Sequence, residues 1–413
     1  MRGWWRANVG GLPGTYWYLW SGMLINRVGG FGVLFLSLYL VNERGLGASG
    51  AGLIVGLAGI GGAAGSLAGG VLADRWGRRR TLLTGHLLLA ASMAALAFTP
   101  WLPAIAVLTC LIGVFQSMAG PAMVAAIIDV VPVADRQRAF NLQFWAFNLG
   151  MAAASLLAGL LAEIGFALLF SLDAVATLLA FLVLAIKVPE TLTHRDGPAP
   201  ADRSGLGTAL RDRSFMTFVG LTLLVATVFT QASTILPLAM KDDGLSGSAY
   251  GVVTAFAGAL IVVGQLFVPA LIGGREKGRV LACAAAFLGL GFSIIALADG
   301  LAVYLVAAFV WTIGSMLAAP PNAEVIAELS PAALRARYQA VFYIVFPLAA
   351  FISPALGGFG LEHLGNGNWI ICGMIGVAAA LGHLGAGRSR ERLVRARRDA
   401  EKDSSGVPAA VQG

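Results

Sequence analysis

The chain gathers its charge in Gly70-Val71-Leu72-Ala73-Asp74-Arg75-Trp76-Gly77-Arg78-Arg79-Arg80, a short hinge between two long apolar runs. One carboxylate beside several guanidinium groups is suited to making and breaking ion pairs, not to attacking a bond. Asp74 closes an apolar run, where a carboxylate can meet the positive N-terminus of a facing helix. Arg27 lies about eleven residues into the first apolar run. A cation at that depth in a bilayer costs ~2.5–3.5 kcal/mol, so it should face a partner or a wet cavity. It can bind an anionic group, pair with a carboxylate, or act as a fixed charge coupled to protonation; an interhelical ion pair is the structural alternative. Glu324, about one turn inside the end of the tenth run, is the leading proton carrier. Its alternative is a helix-end carboxylate paired with a basic loop residue. Asp173, His86 and His383 read as peripheral packing groups. Cys110, Cys283 and Cys372 each sit alone in an apolar run, and no metal-ligand spacing or nucleophile–base pair appears. No cofactor, metal or enzymatic activity is expected.

Neutral polar residues recur at helical spacing: Thr109 and Gln116, Asn141 and Asn148, Thr227 and Gln231, Thr254 and Gln265. Such stripes either hydrogen-bond between helices or line a cavity. Asn26, Arg27, Gln116, Asn148, Gln231, Gln265, Trp311, Asn322, Phe342 and Tyr343 would together make an aromatic and amide pocket for amphipathic organic molecules.

The elements that must hold these residues are membrane helices. Hydrophobic residues make up 58% of the chain and charged ones 12%, against about 45–50% and about 25% in soluble domains. Mean hydropathy is +0.81. The apolar runs are continuous and rich in Leu, Ala and Gly, which excludes the period-2 pattern of a barrel. Twelve such runs, from 16–42 to 368–387, are separated by breaker and charge signals. Of the 28 Lys and Arg, 25 fall on the side of the two termini, while Arg44 and Lys241 lie opposite and Arg27 within the first run. The positive-inside rule therefore predicts cytoplasmic termini, and the arginine run is expected to orient the chain rather than bind nucleic acid. No phosphate-binding Gly-Lys-Ser loop occurs, so ATP is not the expected energy source. Residues 188–213 are the long hydrophilic break, giving an expected six-helix bundle at 1–187, a linker at 188–213, a second bundle at 214–387 and a disordered tail at 388–413.

Shifting the chain by 199 residues superposes Pro121 on Pro320, Asp129 on Glu328, Pro132 on Pro331, Arg136 on Arg335 and Arg138 on Arg337. The same shift lays the hinge on Gly273-Gly274-Arg275-Glu276-Lys277-Gly278-Arg279, which keeps basic charge and loses the aspartate. Two parallel six-helix halves with a site between them is a transporter architecture. The hinge Gly70-x-x-x-Asp74-Arg75-x-Gly77-Arg78-Arg79 and the duplication resemble the major facilitator superfamily, over residues 10–387. Within it the chain is similar to twelve-helix bacterial drug:proton antiporters. Gly150-x-x-x-Ala154-Ser155-x-x-Ala158-Gly159 stands where those exporters carry a Gly-Pro pattern, with Ser155 in place of proline and Gln116 near the place of an arginine.

The resemblance implies an all-α fold of two pseudo-symmetric bundles and a cytoplasmic gate made of Asp74, Arg75, Gly77, Arg78, Asp129, Arg136, Glu328 and Arg335. Asp74 would meet the eleventh helix, Arg78 would pair with Asp129, and Glu328 with Arg335 or Arg337. Proton coupling falls to Glu324 and Arg27. The function expected is secondary export of amphipathic compounds from the bacterial cytoplasm by proton antiport, by a monomer in the inner membrane. A carrier of one anionic metabolite and a non-transporting membrane sensor or assembly module are the alternatives.

Overall fold

The computed structural model describes residues 10–30, 32–192, 207–265, 267–330 and 334–405, apart from the side chains of 137, 269–270, 335–337, 388–389 and 391–405. Among them twelve helices are long and apolar enough to span a bilayer: α1 (Gly14–Asn42), α2 (Ala48–Arg75), α3 (Arg78–Phe98), α4 (Leu102–Val130), α5 (Arg138–Ile164), α6 (Phe166–Lys187), α7 (Arg213–Thr234), α8 (Gly247–Gly264), α9 (Lys277–Leu297), α10 (Leu301–Leu329), α11 (Tyr338–Leu364) and α12 (Gly367–Gly387). In lipid each backbone polar group must be satisfied within the protein, which is why apolar runs of this length are helical. The chain is a multi-pass membrane protein. Below, the face carrying both chain ends is the basic face, and the other is the far face.

Several runs expected as single helices are interrupted. The first divides into Gly14–Val28 and Gly32–Asn42. Gly29 is pressed so closely on α6 that a Cβ would overlap the Ala176 methyl. The second segment opens against buried Asp173, whose Oδ2 accepts the Gly32 N–H at 2.8 Å, satisfying one of the donors a helix start leaves free. The seventh run, expected over 214–239, stops at Thr234, and a separate helix Leu236–Asp242 follows with Pro237 in its first turn. Proline there has no N–H to continue the ladder. The eighth run ends at Gly264 with a separate turn at Val268–Ile272, and the eleventh breaks between Tyr343 and Val345, where Pro347 cannot donate to the Tyr343 carbonyl. Helix continues from Gly367 to Ser405, through part of the tail whose composition suggested disorder; Arg, Leu, Ala and Glu there are strong helix formers. Of the linker, 193–206 lie outside the described residues, and Gly207–Arg211 is a short helix.

Apolar packing distinguishes the two faces. One large core unites both bundles at the far half, from Leu34, Phe35 and Tyr39 through Phe170 to Tyr250, Trp311 and Trp369. At the basic half there are two cores. One holds Tyr16, Leu19, Leu82 and Met123 of the first bundle; the other holds Phe215, Phe218, Leu329 and Phe342 of the second. Glycines along α2 report the same division. Gly52, Gly56 and Gly59 press on Pro354, Phe351 and Ala350 of α11, whereas Gly61, Gly65 and Gly69 press on Cys110, Val114 and Met118 of α4. Between α5 and α8, Gly251 meets the Ser155 carbonyl and Gly159 meets Gly247 and Ser248. Ser155 with Pro354, Gly52 with Gly251, and Gly159 with Gly358 are repeat mates, so the duplication extends through the interface. Among the described residues, the apolar cores of the bundles are joined at the far face and separate at the basic face.

Candidate functional site: charge clusters at the basic face and the parted interior

The hinge between α2 and α3 turns at Gly77, whose φ of +111° favours glycine. A Cβ there would overlap the Glu190 carboxylate. The turn aims Arg78 back at two acids. Its Nη1 lies 3.3 Å from Asp74 and its Nε 3.1 Å from Asp129, and Nη1 also donates to the Ala73 carbonyl at 2.8 Å. Arg78 is 12% exposed while Asp74 is 75% exposed and pairs with Arg78 alone among the described residues. Arg136 donates to the Ile128 and Val131 carbonyls at 2.9 and 3.3 Å, closing the end of α4. Arg75 is exposed. The predicted Arg78–Asp129 pair is present, and it joins helices of one bundle.

Glu190 belongs to this cluster and escaped the sequence reading. One of its oxygens accepts the backbone N–H groups of Arg78 at 2.9 Å, Arg79 at 3.4 Å, and Thr191 and Leu192 at 3.0 Å each. Burial pushes its carboxyl up, but the backbone donors outweigh that and hold it below the usual carboxylate range. Arg79 completes the joint, donating to the Val188 and Ala185 carbonyls at 2.8 and 2.7 Å. An acid immediately after Pro189, at the end of the sixth apolar run, was the signal available. An open groove of about 580 Å³ runs along this joint, lined by Trp76, Arg79, Arg80, Lys187 and Glu190.

The second bundle repeats the central pair through Lys277, while the expected pairing of Glu328 with Arg335 or Arg337 falls on side chains outside the described ones. Lys277 Nζ lies 3.0 Å from Glu328 and 3.2 Å from Glu324. Residue 78 shifted by 199 is 277, and 129 shifted likewise is 328, so Lys277–Glu328 is the image of Arg78–Asp129. Glu324, expected as a buried proton carrier, is a 59% exposed group in this ion pair at the basic face. It has no acidic mate, since Ala125 stands at its image. Asp74 likewise has Gly273 at its own, so each bundle adds its second acid from a different helix.

Interior residues differ in what they touch. Arg27 lays its guanidinium over the Phe147 ring of α5, 4.3 Å from the centroid, and no carboxylate lies within ion-pairing distance among the described residues. Asn26 donates to Thr177 Oγ1 of α6 at 3.2 Å, directed away from the second bundle. Asn148 donates to the Phe144 carbonyl of its own helix at 2.9 Å. Gln231 Oε1 accepts from Asn368 of α12 at 2.9 Å, and both are buried. Trp311 stacks on Phe292 at 5.2 Å and Phe342 on Phe218 at 5.6 Å, each buried in a core. Each of these contacts lies within one bundle. An apolar environment favours the pairing of amides and rings among themselves, and periodicity alone does not reveal which face is turned inward. Gln116 and Gln265 are half-buried, Asn322 Oδ1 is buried without a hydrogen-bond partner among the described residues, and Tyr343 is 63% exposed beside Phe346.

The family model of the Major Facilitator Superfamily matches residues 19–354, and the chain belongs to that family. It is a membrane transport protein in fold and ancestry. Relatives include a Na(+), Li(+), K(+)/H(+) antiporter of Planococcus maritimus, 26% identical over 78% of this chain and 83% of the relative. Multidrug resistance protein MdtH of Cronobacter sakazakii is 27% identical over 89% of this chain and 92% of its own. Among solved structures, a mutant of the peptide transporter POT superposes with a TM-score of 0.79 at 19% identity, covering 92% and 96% of the two chains; that likeness concerns the fold.

Proposed function

We propose that this protein is a secondary active exporter of amphipathic organic compounds, working by proton exchange and alternating access in the bacterial cytoplasmic membrane. The basic face is then cytoplasmic, following the positive-inside rule, and the conformation described is inward-facing. The observation that carries the reading is the division of apolar packing, with one shared core at the far half and two separate cores at the basic half. A path between bundles that is closed on one side only is what a rocking carrier needs. The charge clusters then act as the inner gate: Asp74, exposed here, meets the opposing bundle when that side closes, with Arg75, Arg78, Asp129, Arg136, Glu328 and Arg335 around it. A multidrug resistance protein and a cation/H(+) antiporter among the relatives support export driven by protons. Inward movement of one net charge releases ~2.3 kcal/mol per 100 mV, enough to sustain a ~50-fold gradient. The proton-coupling role assigned to Glu324 requires its pair with Lys277 to part during the cycle, while Arg27 supplies the fixed interior charge.

Inverted vesicles given a panel of amphipathic compounds test this. Uptake under an imposed pH gradient, abolished by an uncoupler, is the expected result. Absence of movement for every compound under every gradient removes the transport reading and favours a sensor or assembly role. Arg27 supports one second reading, a carrier of an anionic metabolite, because its guanidinium has an aromatic ring and, among the described residues, no acid beside it. Arg27→Gln then abolishes binding at every pH, whereas a charge that only tunes protonation leaves binding and moves its pH dependence.

A further inference from the structure

We propose that Glu163 and Glu362 form a two-point latch that holds the far face shut, each carboxylate of one bundle capping a helix of the other. Glu362, in the last turn of α11, accepts the backbone N–H of Ser49 in the first turn of α2 at 2.7 Å through Oε2. Glu163, in the last turn of α5, accepts the backbone N–H of Ser248 in the first turn of α8 at 3.3 Å through Oε1. Both contacts cross between bundles. Their residues are repeat mates: Glu163 shifted by 199 is Glu362, and Ser49 shifted likewise is Ser248.

The surroundings are built alike on the two sides. Gly45-Leu46 and Gly244-Leu245 are also mates, and the two glycines turn the chain into α2 and α8 at φ +66° and +76°. Gly47 leaves room for its carboxylate, since a Cβ there would stand 2.7 Å from Glu362 Oε2. No Lys or Arg pairs with either acid among the described residues. Their partners are the free N–H groups and positive end of a facing helix, which favour a carboxylate over a neutral side chain. At the basic face the ion pairs of Arg78 with Asp74 and Asp129, and of Lys277 with Glu324 and Glu328, each join helices of one bundle. Glu163 and Glu362 instead join what must separate when the far face opens. Both lie at the exposed rim, so each released carboxylate is received by water and the contact can re-form on every cycle.

The latch rests on the alternating-access reading, and one experiment separates the two. Full-length protein with Cys110, Cys283 and Cys372 replaced by Ala carries spin labels at either of two pairs. E43C with D242C reports the far face, and V133C with R275C reports the basic face. In the parent, the far-face pair gives one short distance. E163A and E362A each raise the ratio of far-open to far-closed molecules about two- to fivefold, and the double variant multiplies the effects. S49P with S248P removes the donors instead of the acids, at first-turn positions where proline is tolerated, and opens the far face in the same way. Should the alanine pair fail to fold, E163Q with E362Q keeps the shape and removes only charge, giving a smaller shift of the same sign. Far-face distances unchanged in both double variants, while the basic-face pair moves with added compound or pH, overturn the latch alone. If neither pair moves under any condition in parent or variants, alternating access itself is lost.

Discussion

At the far half of the molecule, backbone lies on backbone: Gly52 against the Pro354 carbonyl and Gly251 against the Ser155 carbonyl, with a single apolar core behind them. At the basic half the helices of the two bundles are organised by charge, and each bundle keeps its own core. Close glycine contacts have no reach and are lost within an ångström, while ion pairs act over several ångströms and tolerate exposure to water. The two faces therefore differ in how they can change. On the alternating-access reading, the far face then opens all at once or not at all, and the basic face can trade partners.

The largest expected effect tests the far face. Gly52→Val with Gly251→Val forces side chains onto carbonyls that cannot retreat, so the bundles part or the protein fails to fold. Gly70→Val, in the basic half of the same α2 where a Cβ meets nothing within 4 Å, changes the melting temperature negligibly. Overpacking costs about 1–3 kcal/mol per site, against about 0.5 kcal/mol or less at an unpacked position. Equal melting temperatures for the two would erase the contrast.

Next come the central cations of the basic face. Arg78→Ala strands Asp129 and Asp74 around a nearly buried position and lowers stability by about 1–3 kcal/mol. Lys277→Ala acts on a more exposed triad and costs about 0.5–1 kcal/mol. Thermal unfolding in one detergent ranks them, and a larger loss for Lys277 would break the proposed order. The interior follows: Phe147→Leu removes the ring beneath Arg27, a contact worth about 0.5–2 kcal/mol, and weakens binding of any anionic compound that needs that guanidinium held in place, as titration calorimetry would register.

The smallest effect is one of pH. Glu190 is held below the usual carboxylate range, so its stabilisation is full above the unfolded value and is lost as pH falls through the lower folded one. Protection of the 188–192 segment from proteolysis should hold at neutral pH and fade below the ordinary carboxylate range. Glu190→Gln should show that loss at neutral pH, and protection that ignores both pH and the substitution would remove Glu190 from the joint.

Periodicity and charge segregation made the twelve helices legible, because lipid allows few alternatives to an apolar helix. The Arg78–Asp129 pair was legible too, as what the family resemblance of the hinge implies. Lys277 as its image was not, since it sits in a segment that had lost its aspartate; the expected partners of Glu328, Arg335 and Arg337, fall on side chains outside the described ones. The interior was the least legible. Asn26, Gln231, Trp311 and Phe342 are polar or aromatic in the way pocket residues are, and the same properties let them bond and stack within a bundle. Glu163 and Glu362 carried no signal until their partners, a backbone N–H on another helix, came into contact.

The interruption of α1 at Gly29 and Gly30 falls between two territories. Tyr16 and Leu19 of the first segment belong to the core of one wing, and Leu34 to Leu40 of the second belong to the common far-side core. A continuous rod crossing that border would have to flex, straining its ladder, whenever one wing swung against the other. Here the ladder is already divided, and Asp173 supplies an acceptor for the second segment's first amide. On the alternating-access reading, that interruption lets the two segments turn relative to one another.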